Sequence, residues 1–192
     1  MATELSEVHL EPVRPEHLPE LYRWATDLRS AFHWRFGGAT PDPDRFAEAM
    51  WSGVLCQFLA TDAAGLHHGL LVAYGADHVN GHAYFAVQGN PERPTGMGAT
   101  VGLVQLIDHL FRHWPLRKLY AELPGYNASE FSGALRRHAK LEGTFSDHIF
   151  FDGRYWDQVV YALYRADWFA HVRPRFAMLL DDLELPSGQS GE

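Results

Sequence analysis

The sequence is poor in cysteine, in positive charge and in long apolar runs, and each shortage removes a class of protein. Its only cysteine is Cys56, which excludes an intramolecular disulfide and any multi-cysteine metal site. Lys plus Arg number 16 against 24 for Asp plus Glu, a formal net charge of −8. That balance argues against a non-specific nucleic-acid binder, which needs a basic face. It suits a cationic substrate such as an amine, although acidic surfaces also serve solubility alone. No apolar run approaches membrane-spanning length, and the acidic start MATELSEVHLEPVRPEHLPE lacks the apolar core of a signal peptide. The expectation is a cytoplasmic protein, monomer or homodimer, with neither membrane nor nucleic acid as partner.

What is present is enough apolar material, 46% of 192 residues, for one compact domain with at most a short appendage. Val8 to Val13 reads as a short strand, and Pro15 to Leu28 and Arg45 to Trp51 as helices. Cys56 to Thr61, His68 to Gly75 and His82 to Gln88 read as an antiparallel meander, its second turn marked by Asn80-Gly81. A long helix then ends near Trp114-Pro115. Lys118 to Leu123 is a strand, Ser129 to Ala139 a shorter helix, and Gly143 to Phe151 with Tyr155 to Arg165 a hairpin across Asp152-Gly153. The tail holds one or two short helices broken at Pro174, and disorder is expected from Pro186. Its Phe169, Phe176, Met178, Leu179 and Leu180 either pack back on the sheet or form a dimer contact. The fold class is α/β, a mixed and mainly antiparallel sheet of about seven strands flanked by helices.

One stretch stands out, NPERPTGMGATVGLVQLIDHLFRHW, from Asn90 to Trp114. Leu103, Ile107, Leu110 and Trp114 form one helical face, while Gln105, His109 and Arg112 are expected to point elsewhere. Gly96 and Gly98 let the backbone ahead of the helix turn tightly. Two readings stand. The segment is an ordinary glycine turn into a core helix, or its free N–H groups form an anion site at a helix N-terminus.

This order of elements, with a glycine loop after the fourth strand, resembles the GNAT superfamily of acyl-CoA-dependent N-acyltransferases. That family carries Gln or Arg, two residues, Gly, one residue, then Gly or Ala; here the run is Arg93-Pro94-Thr95-Gly96-Met97-Gly98. The end of the chain is similar to the branch that acetylates ribosomal-protein N-termini and related amines, through Glu142-Gly143, Asp152-Gly153, Tyr155, Asp157, Arg165 and Trp168. The resemblance implies a GNAT-like domain over residues 1–168, with 169–192 as a C-terminal extension. It implies acetyl-CoA, or another acyl-CoA, as co-substrate and an amine-bearing small molecule or peptide as partner. Its pyrophosphate would meet the backbones of Thr95, Gly96, Met97, Gly98 and Ala99 near Arg93. Its pantetheine arm would pair with Phe85, Ala86, Val87 and Gln88, and Asn127 occupies the family's asparagine position. Two alternatives remain, a non-catalytic acyl-CoA-binding module and an acyltransferase for a carrier-bound or biosynthetic intermediate.

Acyl transfer from a thioester to an amine needs a base for the ammonium, stabilisation of the oxyanion and a proton for the departing thiolate. The family's serine and tyrosine donor positions hold Glu130 and Ala134 here, which leaves Ser129, with Ser132 beside it, as the nearby hydroxyl. Base candidates are Glu122, otherwise a solvated strand-end residue, and His148, otherwise a histidine on a half-exposed strand; His82 ranks below both. The acceptor loop would offer His33, Trp34 and Arg35, facing Tyr155 and Trp156, unless those aromatics simply pack the loop onto the sheet. His109 and His113 have the spacing of a metal pair without the glutamate of HExxH. No metal is expected.

Overall fold

The computed structural model describes residues 8–28, 30–33, 35–93, 97–127, 135 and 137–180. Seven strands form one sheet in the order β1-β2-β3-β4-β5-β7-β6. They are β1 (His9–Pro12), β2 (Val54–Thr61), β3 (His67–Asp77), β4 (His82–Gly89), β5 (Lys118–Pro124), β6 (Lys140–Phe151) and β7 (Arg154–Tyr164). Every neighbouring pair is antiparallel except β4 and β5, which run parallel. A parallel pair needs a crossover, and a helix supplies it.

The longer helices among the described residues are α1 (Leu18–Thr26), α2 (Pro43–Trp51) and the crossover α3 (Met97–His113). A single 3-10 turn, Pro15–His17, leads into α1. The Asp42 carboxylate starts α2 by accepting from the N–H groups of Asp44 and Arg45, both at 3.1 Å. Of the helix expected over 129–139, residues 129–134 and 136 lie outside the described residues; Leu135 is buried in the core.

Each face of the sheet has its own apolar cluster. On one face Leu21, Trp24, Phe46 and Met50 of α1 and α2 cover Leu59 and Leu70. On the other, α3 packs Leu103, Ile107 and Leu110 against Leu71, Phe85 and Leu119. The helix can lie that close because its sheet side is small. A Cβ on Gly102 would fall 2.6 Å from the Ala60 Cβ.

Gln105 does not point away from the core as expected. It is buried, and its Nε2 donates to the Val8 carbonyl at 2.7 Å. The reason is the helical tail, 165–180, which covers a second side of α3. There Trp168 Nε1 and Arg173 Nε both donate to Asp108 Oδ1 at 3.0 Å. Trp168, Val172 and Leu180 join the α3 core, with Phe176 and Leu179 packed against it, while Met178 is exposed. Most of the tail's apolar residues thus pack inward; the segment from Pro186 lies outside the described residues.

Candidate functional site

β4 and β5 begin as hydrogen-bonded neighbours and then part. Their ladder consists of His82↔Lys118, Ala83↔Leu119 and Tyr84↔Tyr120. Beyond it, β4 stays with β3 as far as Gly69↔Gly89, and β5 stays with β7 as far as Pro124↔Gln158. Each strand is held by its outer neighbour, so a V-shaped gap opens in the middle of the sheet. Phe85, Ala86, Val87 and Gln88 form one edge and Ala121, Glu122 and Leu123 the other. Among the described residues no strand pairs with either edge along this stretch, which leaves backbone donors and acceptors facing the gap.

α3 starts beyond the end of β4. Asn90 fixes the intervening turn: its N–H and Nδ2 donate to the His68 and His67 carbonyls at 2.9 and 2.8 Å, and its Oδ1 accepts from the Glu92 N–H at 2.9 Å. Arg93 is exposed at the end of that turn. Met97, Gly98 and Ala99 form the first turn of the 17-residue α3, whose N–H groups have no partner within the helix. Thr95 and Gly96 lie outside the described residues. Gly98 has a steric reason of its own, since a Cβ there would meet the His68 ring at 2.4 Å. Gln88 is buried and turned toward α1, its Nε2 donating to the Trp24 carbonyl at 3.3 Å.

On the α1–α2 face a row of tyrosines crosses the base of the V. Tyr74 stacks on Tyr84 with centroids 5.6 Å apart, and Tyr84 lies 5.2 Å from Tyr120. Two residues beyond Tyr120, on the same face, Glu122 is exposed at the gap. Burial first, then the Glu122 charge, pushes the Tyr74 phenol up to about 12. The same two causes raise Tyr84. Both phenols are therefore neutral donors at pH 7. Arg35 approaches this row, its guanidinium pKa lowered by burial and partly restored by Tyr74, and it donates to the Ala49 carbonyl.

Beneath the row lies a charged knot. Glu142 accepts from Lys118 Nζ at 2.6 Å, from the Tyr120 hydroxyl at 3.0 Å and from the Tyr164 hydroxyl. Burial opposes its ionisation, but those three donors outweigh burial and hold the carboxyl down at about 2. Sequence reasoning missed this role for Glu142. It also missed the tyrosine row, whose signal, one tyrosine on each of three strands, becomes readable only once the register is known.

The other expected site residues are divided. Trp156 lies 5.5 Å from Tyr126, whose ring is tilted against Phe151 at 4.5 Å; Phe151 in turn meets Phe32 of the α1–α2 loop at 5.7 Å. The loop and the last hairpin do meet, through aromatic rings. Tyr155 does not join them. Successive strand residues alternate sides, and it is exposed on the other face, packed on Phe150 at 5.1 Å. His148 is not brought to the gap either: it is exposed in the β6 bulge between Phe145 and Ile149, on the outermost strand. Asn127 closes a short turn after β5. His33 ends the turn Ala31–His33 between α1 and α2, and Trp34 and Ser129 lie outside the described residues.

No family model and no curated protein matches the chain. Solved structures do. A chimera of the Vibrio cholerae spermidine N-acetyltransferase SpeG and hSSAT aligns over 86% of this chain and 99% of its own, at 17% identity and a TM-score of 0.74. Spermidine N-acetyltransferase from Vibrio cholerae in complex with CoA and spermine aligns over 85% and 99%, at 17% identity and a TM-score of 0.70. RimL, a ribosomal-protein alpha-N-acetyltransferase in complex with coenzyme A, aligns over 82% and 94%, at 18% identity and a TM-score of 0.69. Those likenesses establish the fold. The chain has the GNAT fold, with its parted fourth and fifth strands.

Proposed function

We propose that the protein is an N-acetyltransferase that moves an acetyl group from acetyl-CoA to a primary amine of a small molecule or a peptide N-terminus by direct attack. The observation that carries this reading is the gap between β4 and β5, which opens with Glu122 on one wall and the α3 N-terminus beyond its far end. Neighbours of the same fold bound to CoA, one also holding spermine, support it.

Acetyl-CoA supplies the acetyl thioester. The first-turn N–H groups of α3 favour its pyrophosphate by hydrogen bonding and partial charge. The free edge of β4, at Phe85 to Gln88, offers strand-like pairing to its amide-bearing arm. Tyr74 and Tyr84 present aromatic surface and hydroxyls to an incoming ammonium, and Glu122 takes the proton that the amine must lose, directly or through one water. The amine nitrogen bonds to the acetyl carbon, the carbon–sulfur bond breaks, and the second proton that the nitrogen sheds on becoming an amide passes to the thiolate, through solvent or a hydroxyl such as that of Ser129. Trp156 and the α1–α2 loop, with His33, Trp34 and Arg35, border the acceptor side. Residues 1–168 form the transferring domain, 169–192 its extension, and a cytoplasmic setting belongs to this reading.

The test joins a thermal-shift titration with acetyl-CoA, CoA and longer acyl-CoAs to a thiol-release assay over a panel of amines. Acetyl-CoA should raise the melting temperature by mass action, and at least one amine should release thiol. Glu122→Gln should keep the thermal shift and lose about 100-fold in turnover. A thermal shift without thiol release from any amine would favour a non-catalytic binding module. The absence of any shift in the folded protein would sink the reading.

A further inference from the structure

A second cluster of functional side chains lies away from the gap, where β1, α1 and the start of β3 meet. Glu11, His17 and His67 bring one carboxylate and two imidazoles together with their ligating atoms all within 4.8 Å of one another. His17 Nε2 is 3.5 Å from Glu11 Oε1, and His67 Nε2 is 3.8 Å from Glu11 Oε2. All three are partly buried, with the two imidazoles 11% and 15% exposed. We propose that this cluster is a site for a divalent first-row transition ion, Zn²⁺ by preference, bound by Glu11, His17 Nε2 and His67 Nε2.

Three observations lead there. The two Glu11 separations, 3.5 and 3.8 Å, are close to what coordination requires: zinc–ligand bonds of about 2.0–2.2 Å put tetrahedral ligand atoms about 3.3–3.6 Å apart. A small inward shift would bring the whole cluster, now within 4.8 Å, to that spacing. His67 is oriented as a ligand should be. Its Nδ1 contacts Glu20 Oε2 at 2.6 Å, and a carboxylate accepting from Nδ1–H fixes the tautomer that leaves Nε2 with a lone pair. Glu11 is itself positioned, since the Thr61 hydroxyl donates to its Oε2 at 3.0 Å. Two nitrogens and an oxygen, with no thiolate, suit borderline ions over calcium or magnesium.

His17 carries the one cost. Its Nδ1 accepts from the Arg14 N–H at 3.1 Å, so the neutral ring holds its proton on Nε2. Coordination requires the opposite tautomer, with the Arg14 N–H released to solvent, where that exposed bond already lies. Metal uptake would therefore exchange a proton between the two His17 nitrogens. The ion would tie β1 and the start of α1 to β3. That makes it a structural clamp, outside the acetyl-transfer chemistry proposed above.

The experiment uses untagged, chelator-stripped full-length protein. Zn²⁺ is titrated against a chromogenic competitor, Co²⁺ absorption is recorded, and ring ¹⁵N shifts of His17 are followed by NMR. One equivalent should bind with a raised melting temperature, a four-coordinate Co²⁺ spectrum and a switch of the His17 tautomer. His67→Gln and Glu11→Gln should each weaken binding at least about tenfold. His113→Gln, which removes half of the His109–His113 pair, should leave it unchanged. No saturable binding, or binding lost only in His113→Gln, would overturn the proposal. Should His67→Gln fail to fold, Glu11→Gln and the His17 shifts decide it, and acetyl-CoA binding remains a separate readout for the gap.

Discussion

At the scale of single residues, two carboxylates on one face of the sheet divide the work. Glu122 is exposed at the mouth of the gap, where the proposed reaction would have it take a proton from an incoming amine. Glu142, on β6, is tied to Lys118, Tyr120 and Tyr164. A group so bound is a poor proton carrier and a good brace, because it holds β5, β6 and β7 in one register beneath the reacting region. Its carboxyl sits at about 2 against an ordinary 4.5, and the direction fixes the sign of the pH effect. The unfolded chain takes up the proton first, so this contribution to stability is complete above pH 4.5 and fades as pH falls toward 2. Glu142→Gln should cost about 2 kcal/mol in urea unfolding at neutral pH. The difference from wild type should shrink between about pH 4.5 and 2. A difference that stays constant across that window would mean that the knot does not hold the charge.

At the scale of elements, the α3 N-terminus offers a way to separate binding from folding. Met97 is 58% exposed in the first turn. Met97→Glu would place a negative charge where a helix end favours one, so the unliganded protein should keep or slightly raise its melting temperature. The same charge would repel a pyrophosphate, and the acetyl-CoA-induced thermal shift should fall by the equivalent of at least about tenfold in affinity, a difference of about 1.4 kcal/mol. Gly98 is the wrong place for that test. With His68 2.4 Å from any added Cβ, Gly98→Ala should lower stability by about 1–3 kcal/mol whether or not a ligand binds, as chemical denaturation would register. Much at this scale was legible from local signals. Asn80-Gly81 announced a hairpin and the glycine run announced the start of α3, while the place of 85–88 along the gap came from the family resemblance. What stayed hidden depends on register between distant segments. Glu142 meets Tyr120 and Tyr164 through the β5–β7 pairing and the β6 irregularity between Leu141 and Gly143. Glu11 and His67 lie 56 positions apart in the chain, and no spacing rule reaches across the fold of β1 onto β2 and β3. The expectation of Tyr155 beside Trp156 failed for a simpler reason, the alternation of a strand.

At the scale of the whole molecule, the excess of acidic residues gives the two proposed substrates opposite fortunes. A formal charge of −8 attracts an ammonium and repels the polyanionic CoA moiety before either touches the site. In the proposed reading, local features offset that repulsion: the α3 N-terminus, Arg93 and the backbone edge of β4. Salt separates the long-range part from the local one, since raising ionic strength from about 10 mM to about 150 mM shortens the Debye length from about 30 Å to about 8 Å. Over that range kcat/KM for a triamine should fall several-fold. A monoamine, carrying one charge, should lose less. With the amine saturating, KM for acetyl-CoA should stay level or decrease as salt rises, because screening removes a repulsion. Steady-state kinetics with the three varied substrates would show it. If amine and acetyl-CoA both weaken with salt, the site's own charges, and not the net charge of the chain, govern the approach of each.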